Sequence, residues 1–387
     1  MAVHLFGWLC SATGLAGSGH ETRKAGMSRR NATTKEVKQM CERHGNFYKT
    51  FSRRDVLKSG GRTGAAIAVS SSLAGLLMPS AAHANTTIKA THGTGFCNLG
   101  FFLAKERGLT TDAGVDIDFV VTPSNQDIAT LFGAGIVDMS MIPYSNFMTL
   151  YDAGAPVKIV AGGGVEGCVI VGREGIMSPA DLKGKKFGTF QADTLEVLPY
   201  DWLKKAGMSF NDVDVRYMNT SPELAQAFIS GALDAICHIE PYATQTVEAT
   251  PGASVLSDGT DVYGAGYSDC VLAVRTPLLE ENPDAVKAVI KALFQAQQAT
   301  ESDLEAALKD TVGSYYKTSY EAAQNASQKQ PVVVDQRNQT QFIIERSKSM
   351  QELGYIQNLP DEQAFDWSLI VTSRKLVRNF LEQLWFE

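Results

Sequence analysis

The 387 residues contain no His-Glu-x-x-His and no Gly-x-Ser-x-Gly, which excludes a zincin metal pair and a hydrolase nucleophile elbow. Apolar runs are short. Gly64 to Met78 falls below the ~20 residues that span a bilayer, and Ser70 to Ser72 interrupt it. Histidine (six) and tryptophan (four) are sparse. Cys237-His238 with Cys270 matches no zinc spacing, so neither metal nor cofactor is expected. Positive charge is scarce beyond residue 84. The net charge is −7, yet the first 84 residues hold twelve Lys/Arg against four acids and leave −15 on the rest. Phosphate backbones require clustered cations, so this body has no footprint for nucleic acid.

The basic segment has an order of its own. Ser52-Arg53-Arg54-Asp55-Val56-Leu57-Lys58 precedes the weakly apolar run, and Pro79-Ser80-Ala81-Ala82-His83-Ala84 supplies the small residues of a cleavage site. Paired arginines before a modest apolar stretch resemble a twin-arginine signal, with Val56 standing where phenylalanine is usual. A cysteine is missing at the cleavage point, which argues against a lipid anchor. The stretch before Ser52 is long for such a leader, and Met27 or Met40 is an alternative start.

After Ala84, short apolar or β-branched runs alternate with helical segments: strands near 87–90, 116–121, 138–142 and 157–161, then 168–171, 186–189, 213–218, 235–238 and 270–274. This is the pattern of parallel βαβ units, hence an α/β fold. From Pro283 onward the pattern is helical, and Trp367 and Trp385 mark buried helix faces. A weak internal repeat joins Phe132-Gly133-Ala134-Gly135-Ile136-Val137-Asp138 to Ser230-Gly231-Ala232-Leu233-Asp234, which fits two similar lobes better than one large sheet. The expected division is a leader over 1–84, a first lobe over 85–172, a second over 173–269, and a return with C-terminal helices packed on the first lobe over 270–387. Strands at 168–174 and 270–275 would make the two crossings.

Gly162-Gly163-Gly164-Val165-Glu166-Gly167 matches Gly-x-Gly-x-x-Gly, but a strand follows rather than the helix a dinucleotide site needs. The glycines are read instead as a bend at the mouth of a cleft. The cysteines at 97, 168, 237 and 270 are expected as buried free thiols.

Four motifs carry a resemblance. They are Phe101-Phe102-Leu103-Ala104-Lys105-Glu106-Arg107-Gly108-Leu109 with Gly114-Val115-Asp116-Ile117; Leu131 to Asp138; Ser178-Pro179-Ala180-Asp181-Leu182-Lys183-Gly184-Lys185-Lys186; and Ile239-Glu240-Pro241-Tyr242-Ala243. In this order, over roughly 87–300, the chain resembles the periplasmic binding proteins of ABC importers, in the nitrate, sulfonate, taurine and thiamine-precursor (NMT1/THI5-like) group. The resemblance implies a type II two-lobed fold with parallel-sheet lobes joined by two crossing strands. It also implies a monomer that closes on a small molecule and hands it to a permease, without chemistry. A thiamine-pyrimidine-synthase-like enzyme shares the fold but works in the cytosol, and the leader speaks against it. A ligand sensor for a membrane receptor is a third reading.

In such sheets the ligand sits beyond the carboxyl ends of the strands, where helix N-termini offer free N–H groups. The turns there supply His92, Thr94, Phe96, Asn125, Tyr144, Ser145, Gly163, Gln191, Asp193, Thr194, Asn219 and Glu240 as candidate ligand contacts. Ser145, Thr194 and Ser221 serve equally well as helix caps. Phe96, Tyr144, Phe190 and Tyr242 offer ring faces, though such aromatics commonly pack in cores. No Lys or Arg falls at a predicted strand end, whereas Asp193 and Glu240 do; His92 and His238 are the possible cations. A doubly charged anion would want a guanidinium clamp. The charge pattern therefore favours a zwitterion or an N–H donor, such as an amino sulfonate or an aminopyrimidine, with a small monoanion on backbone N–H groups as the alternative.

Overall fold

The computed structural model describes residues 85–122 and 125–370, with side chains given except at 125 and 126. The twin-arginine leader expected over 1–84 and Trp385 lie outside the described residues.

Among the described residues, ten strands form two five-stranded sheets. The first holds β1 (Thr86–His92), β2 (Val115–Phe119), β3 (Met139–Pro143), β4 (Val157–Val165) and β10 (Ser268–Arg275) in the order β2-β1-β3-β10-β4. The second holds β5 (Cys168–Gly172), β6 (Lys186–Thr189), β7 (Asp214–Tyr217), β8 (Ala235–Ile239) and β9 (Ser254–Ser257) in the order β7-β6-β8-β5-β9. Each has three parallel strands and then two antiparallel steps, so the sheets are mixed rather than wholly parallel. The internal repeat is structural. Gly135 and Gly231 both adopt positive φ, and Asp138 and Asp234 donate their N–H groups to Lys89 and Lys186 at equivalent places before the middle strands.

The lobe boundary differs from the sequence reading. The segment 168–172 pairs with β8 and β9, so it belongs to the second lobe, and the crossing is the two-residue link Glu166-Gly167. The returning chain runs beside it: Glu166 N–H donates to Tyr267 O (2.8 Å), and Gly266 N–H to Glu166 Oε1 (2.6 Å). Glu166 holds φ +60°, a left-handed conformation costly for a side-chain-bearing residue. Apolar Cys168 to Val171 reads as a strand in either sheet, and only pairing decides which. The glycine run is also corrected. Gly162 to Gly164 continue β4, and the small size serves packing, since a Cβ on Gly164 would lie 2.7 Å from Cys97 Cα. Strand β9, with partly exposed Val255 and Ser254, gave no period to read.

Helices α1 (Leu99–Glu106), α2 (Asn125–Gly133) and α3 (Tyr144–Asp152) belong to the first lobe, α4 (Thr194–Lys205), α5 (Ser221–Ile229) and α6 (Tyr242–Ala249) to the second. A single turn, α7 (Thr260–Tyr263), precedes the return. Then α8 (Thr276–Glu281), α9 (Pro283–Ser302), α10 (Leu304–Thr311), α11 (Tyr320–Ala326) and α12 (Thr340–Glu352) follow. Val286, Val289, Ile290 and Leu293 of α9 share a buried core with Phe101, Phe102 and Leu103 of α1, so this part covers the first lobe. Helix α12 does not pack on the first lobe alone. Its Ile343 lies in a first-lobe cluster, while Met350 packs on Val197 of α4 in the second. Arg346 and Ser349 bond Asp201 of α4 (2.7 Å each). The C-terminal segment therefore spans both lobes. Among the described residues, no helix is long and apolar enough to cross a membrane.

Candidate functional site

The turns after β1 and β3 face those after β6, β7 and β8 across the two lobes. Between them lies a cavity of about 30 Å³. Thr94, Cys97, Asn146, Asp269 and Cys270 line it from the first lobe, Asp193, Thr194, Ser221 and Ile239 from the second. A wider cavity of about 570 Å³ shares Thr94, Ile128 and Ser221 with it and continues outward past His92, Lys105, Asp118, Tyr242, Tyr315 and Lys317. The position at the carboxyl ends of the strands is the one that open α/β sheets use for ligands.

Contacts between the lobes hold this arrangement closed. Thr94 Oγ1 lies 2.8 Å from Ser221 Oγ. Phe96 N–H donates to Glu240 O (2.9 Å), Asn146 Nδ2 to Ala192 O (2.9 Å), and Thr194 Oγ1 to Asp269 Oδ1 (2.7 Å). Ala192 adopts φ +58°, another left-handed residue, directly before the site residues Asp193 and Thr194.

Of the residues read from the sequence, Thr94, Asp193 and Thr194 come together on the inner cavity. His92 lines only the outer one, edge-on to Phe102, Phe119 and Tyr315. Several fall elsewhere. Phe96 is fully buried against Tyr316, and Tyr144 is core, packed on Phe342. Gly163 sits in β4, where a Cβ would meet Met141 and Cys97 O. Gln191 and Asn219 are exposed, and Asn219 N–H donates to Glu223 Oε2. Glu240 lines neither cavity, because its carboxylate is taken up by Thr244 N–H and Oγ1 and by Lys329 while its carbonyl accepts Phe96 N–H of the first lobe. Ser145 Oγ is buried without a hydrogen-bond partner, and the Asn125 side chain lies outside the described ones. The caps resolve too: Asp193 accepts Leu195 N–H (3.1 Å) and Thr220 accepts Glu223 N–H, so Thr194 and Ser221 are free of that duty.

The electrostatics are unusual. Burial pushes the Asp193 carboxyl up to about 7, against the pull of the Leu195 N–H, and nearby Asp269 adds to the rise. Burial likewise raises Asp269. No Lys or Arg among the described residues forms an ion pair with either. The histidines do not offset this. Burial lowers His238 to about 4; its Nδ1 accepts Ile239 N–H, so Nε2 carries the proton donated to Ser221 O (2.9 Å). Burial also lowers His92, whose Nδ1 donates to Gly93 O. The inner cavity is thus acid-lined, while Lys105 and Lys317 stand on the outer one.

Asp269 is the main residue that sequence reasoning missed. It accepts bonds from Thr194, Gln330 Nε2 (2.8 Å), Cys270 Sγ (3.2 Å) and Cys168 Sγ (3.4 Å). The available signal was an acid beside the apolar run Cys270 to Val274, where exposure would be expected and burial is found. Cys97 and Cys270 also line the cavity, and all four described cysteines are buried free thiols.

The family model described as NMT1/THI5 like matches residues 97–307. A Brucella abortus protein named as a binding protein is 32% identical over 197 residues, which span 50% of this chain and 60% of that relative, less than two thirds of its length. Among solved structures, the periplasmic aliphatic sulphonate binding protein SsuA of Escherichia coli shares the fold at TM-score 0.61 and 22% identity, over 72% of this chain and 91% of its own. The periplasmic nitrate-binding protein NrtA of Synechocystis does so at 0.65 and 17%, over 75% and 89%. At these identities the two structures establish the fold, a two-lobed α/β binding-protein architecture, and the family match covers more than half of the chain. The chain belongs to the NMT1/THI5-like family.

Proposed function

We propose that the protein is an exported solute-binding protein of an ABC importer, working in the periplasm after twin-arginine export. It captures a small polar organic molecule between its lobes and delivers it to a permease. The observation that carries the ligand class is the gradient of charge along the cleft. Two buried acids, Asp193 and Asp269, face the inner cavity, whereas the outer one carries Lys317 and Lys105, the latter paired with Asp116, against the single acid Asp118. A zwitterion fits this polarity, with its ammonium end inward near Asp193 and its sulfonate end outward. An aminopyrimidine satisfies the inner end by N–H donation alone. The short link at Glu166-Gly167, paired with Tyr267, is the hinge in this reading, and the bonds between the lobes belong to the closed form. Burial pushes the Cys97 thiol up to about 12, so an enzyme of the cysteine-nucleophile kind would find no thiolate here at neutral pH.

Thermal shift and calorimetry with taurine, alkyl sulfonates, nitrate and aminopyrimidines test the proposal. A true ligand at 100 times its Kd stabilises by about 2.7 kcal/mol. Asp193→Asn should weaken zwitterions far more than nitrate. If no compound of the panel raises the melting temperature, the solute-binding reading loses its support.

A further inference from the structure

Asp269 is surrounded by sulfur. Ligand atoms of Cys97, Asp269 and Cys270 all lie within 4.8 Å of one another, and each of the three residues is almost fully buried. Their convergence has a structural cause. Neighbours along a strand point to opposite faces, yet β10 carries register shifts between Ser268, Cys270 and Val271 where it pairs with β4. Such irregularities re-aim side chains, and here Asp269 and Cys270 both reach the same cavity. Cys97 is brought in from the turn after β1 by Gly163 and Gly164, whose missing side chains let its backbone lie against β4.

The donors suit a metal. Cys270 Sγ is 3.2 Å from Asp269 Oδ2, close to the roughly 3.3–3.8 Å edges of a tetrahedron built on Zn–S and Zn–O bonds. The carboxylate is held by Thr194 Oγ1 at Oδ1 and Gln330 Nε2 at Oδ2, the outer-shell support that ligating carboxylates usually have. Two thiols and one carboxylate favour thiophilic ions over magnesium or calcium. Three protein donors leave one coordination position, and the adjoining cavity of about 30 Å³ is large enough to admit a water molecule there. A divalent ion would also balance the buried carboxylates, which have no cationic partner among the described residues.

We propose that Cys97, Asp269 and Cys270 form a three-donor site for a thiophilic divalent ion of the zinc class, with its fourth position open to the interlobe cavity. This goes beyond the solute-binding reading. The ion takes Asp269, and Asp193 remains for an organic ligand, so the two are separable by mutation.

The test uses the full chain, purified reduced and without oxygen, titrated with Co(II) and then Zn(II) against a chromophoric chelator. One equivalent of Co(II) should bind with a thiolate charge-transfer band, and Zn(II) should displace it. Cys97→Ser, Cys270→Ser and Asp269→Asn should each weaken binding at least about tenfold. Cys237→Ser, a buried thiol of the second-lobe core, should leave it unchanged. Should a variant fail to fold, X-ray absorption of the zinc-loaded wild type decides instead: two sulfur donors support the site, and an all-nitrogen-and-oxygen shell overturns it. Absence of stoichiometric binding overturns it too, as does a Cys97–Cys270 disulfide that persists in reductant. Any of these results leaves the solute panel untouched.

Discussion

Thr94 Oγ1 of the first lobe stands 2.8 Å from Ser221 Oγ of the second, and both hydroxyls line the inner and the outer cavity. The pair is therefore a latch between the lobes at the wall of the cleft. Thr94→Val or Ser221→Ala removes one hydrogen bond of the closed form, worth about 0.5–1.5 kcal/mol. Ligand affinity should fall about two- to tenfold by calorimetry, and the double variant should fall little further than either single one. Full additivity would show that the hydroxyls act separately.

Buried Asp193 and His238 predict opposite pH dependences. Asp193 rises from 3.8 to about 7, so the folded chain holds its proton longer than the unfolded one. Its contribution to stability is complete below 3.8 and is lost as pH rises through about 7. His238 falls from 6.5 to about 4, so the unfolded chain protonates first. Its contribution is complete above 6.5 and is lost as pH falls through about 4. Asp193 amounts to about 4 kcal/mol at most over its window and His238 to about 3 kcal/mol at most. In urea unfolding at half-unit pH steps, wild type minus Asp193→Asn should decline with rising pH. Wild type minus His238→Asn should climb between pH 4 and 6.5. Glu196, Glu240 and Asp269 are raised by burial and share the sign of Asp193.

Gly164 has no room for a methyl group, because Cys97 Cα and Cβ would lie 2.7 and 2.9 Å from it. Gly164→Ala should cost about 1–3 kcal/mol by displacing the Cys97 turn. It should also reduce ligand or metal affinity. Gly184→Ala is the comparison for position: its Cβ meets nothing within 4 Å, and only its positive φ opposes the change. A melting temperature that falls with affinity intact would separate packing from site geometry.

Asp201 is 8% exposed and accepts from Arg346, Ser349 and Tyr263. Arg346→Met leaves this charge short of its cation and should cost about 1–3 kcal/mol. The same change loosens α12 from α4, so hydrogen exchange should quicken at the C-terminal end of α12 more than in β1 or β3. Uniform exchange across both lobes would count against α12 as a separate tie.

Much of the fold was legible because it rests on local signals. Glycines that end helices, apolar runs of four to six residues and the Asp-led turn are properties of short segments, and they place nine of the ten strands. Pairing is not local. Cys168 to Val171 is apolar on both faces, so its period cannot say which sheet receives it, and the lobe boundary was misplaced for that reason. Of the candidate contacts read from the sequence, Thr94, Asp193 and Thr194 line the inner cavity, and they lie in turns where polarity is conspicuous. Asp269 and Cys270 reach the cleft through irregularities in β10, which depend on the partner strand. Glu240 shows the converse failure: its turn position ties its carbonyl to Phe96 N–H across the lobes and leaves its carboxylate with Thr244 and Lys329.

The loop after α11 has a consequence for recombining this protein with its relatives. Gln330 bonds Glu166 O and Asp269, Gln336 bonds Gly164 O and Ser268, and Val332 bridges Gly164. These partners lie on both connecting segments and on the cleft floor, so residues 330–336 are an inseparable part of that floor despite their distance in sequence. The family match ends at residue 307. A graft of the matched stretch onto another member would therefore carry away the acid and leave behind the amides that orient it. A chimera has to exchange 330–336 together with 164–168 and 266–270, or it will fold around a floor assembled from mismatched parts.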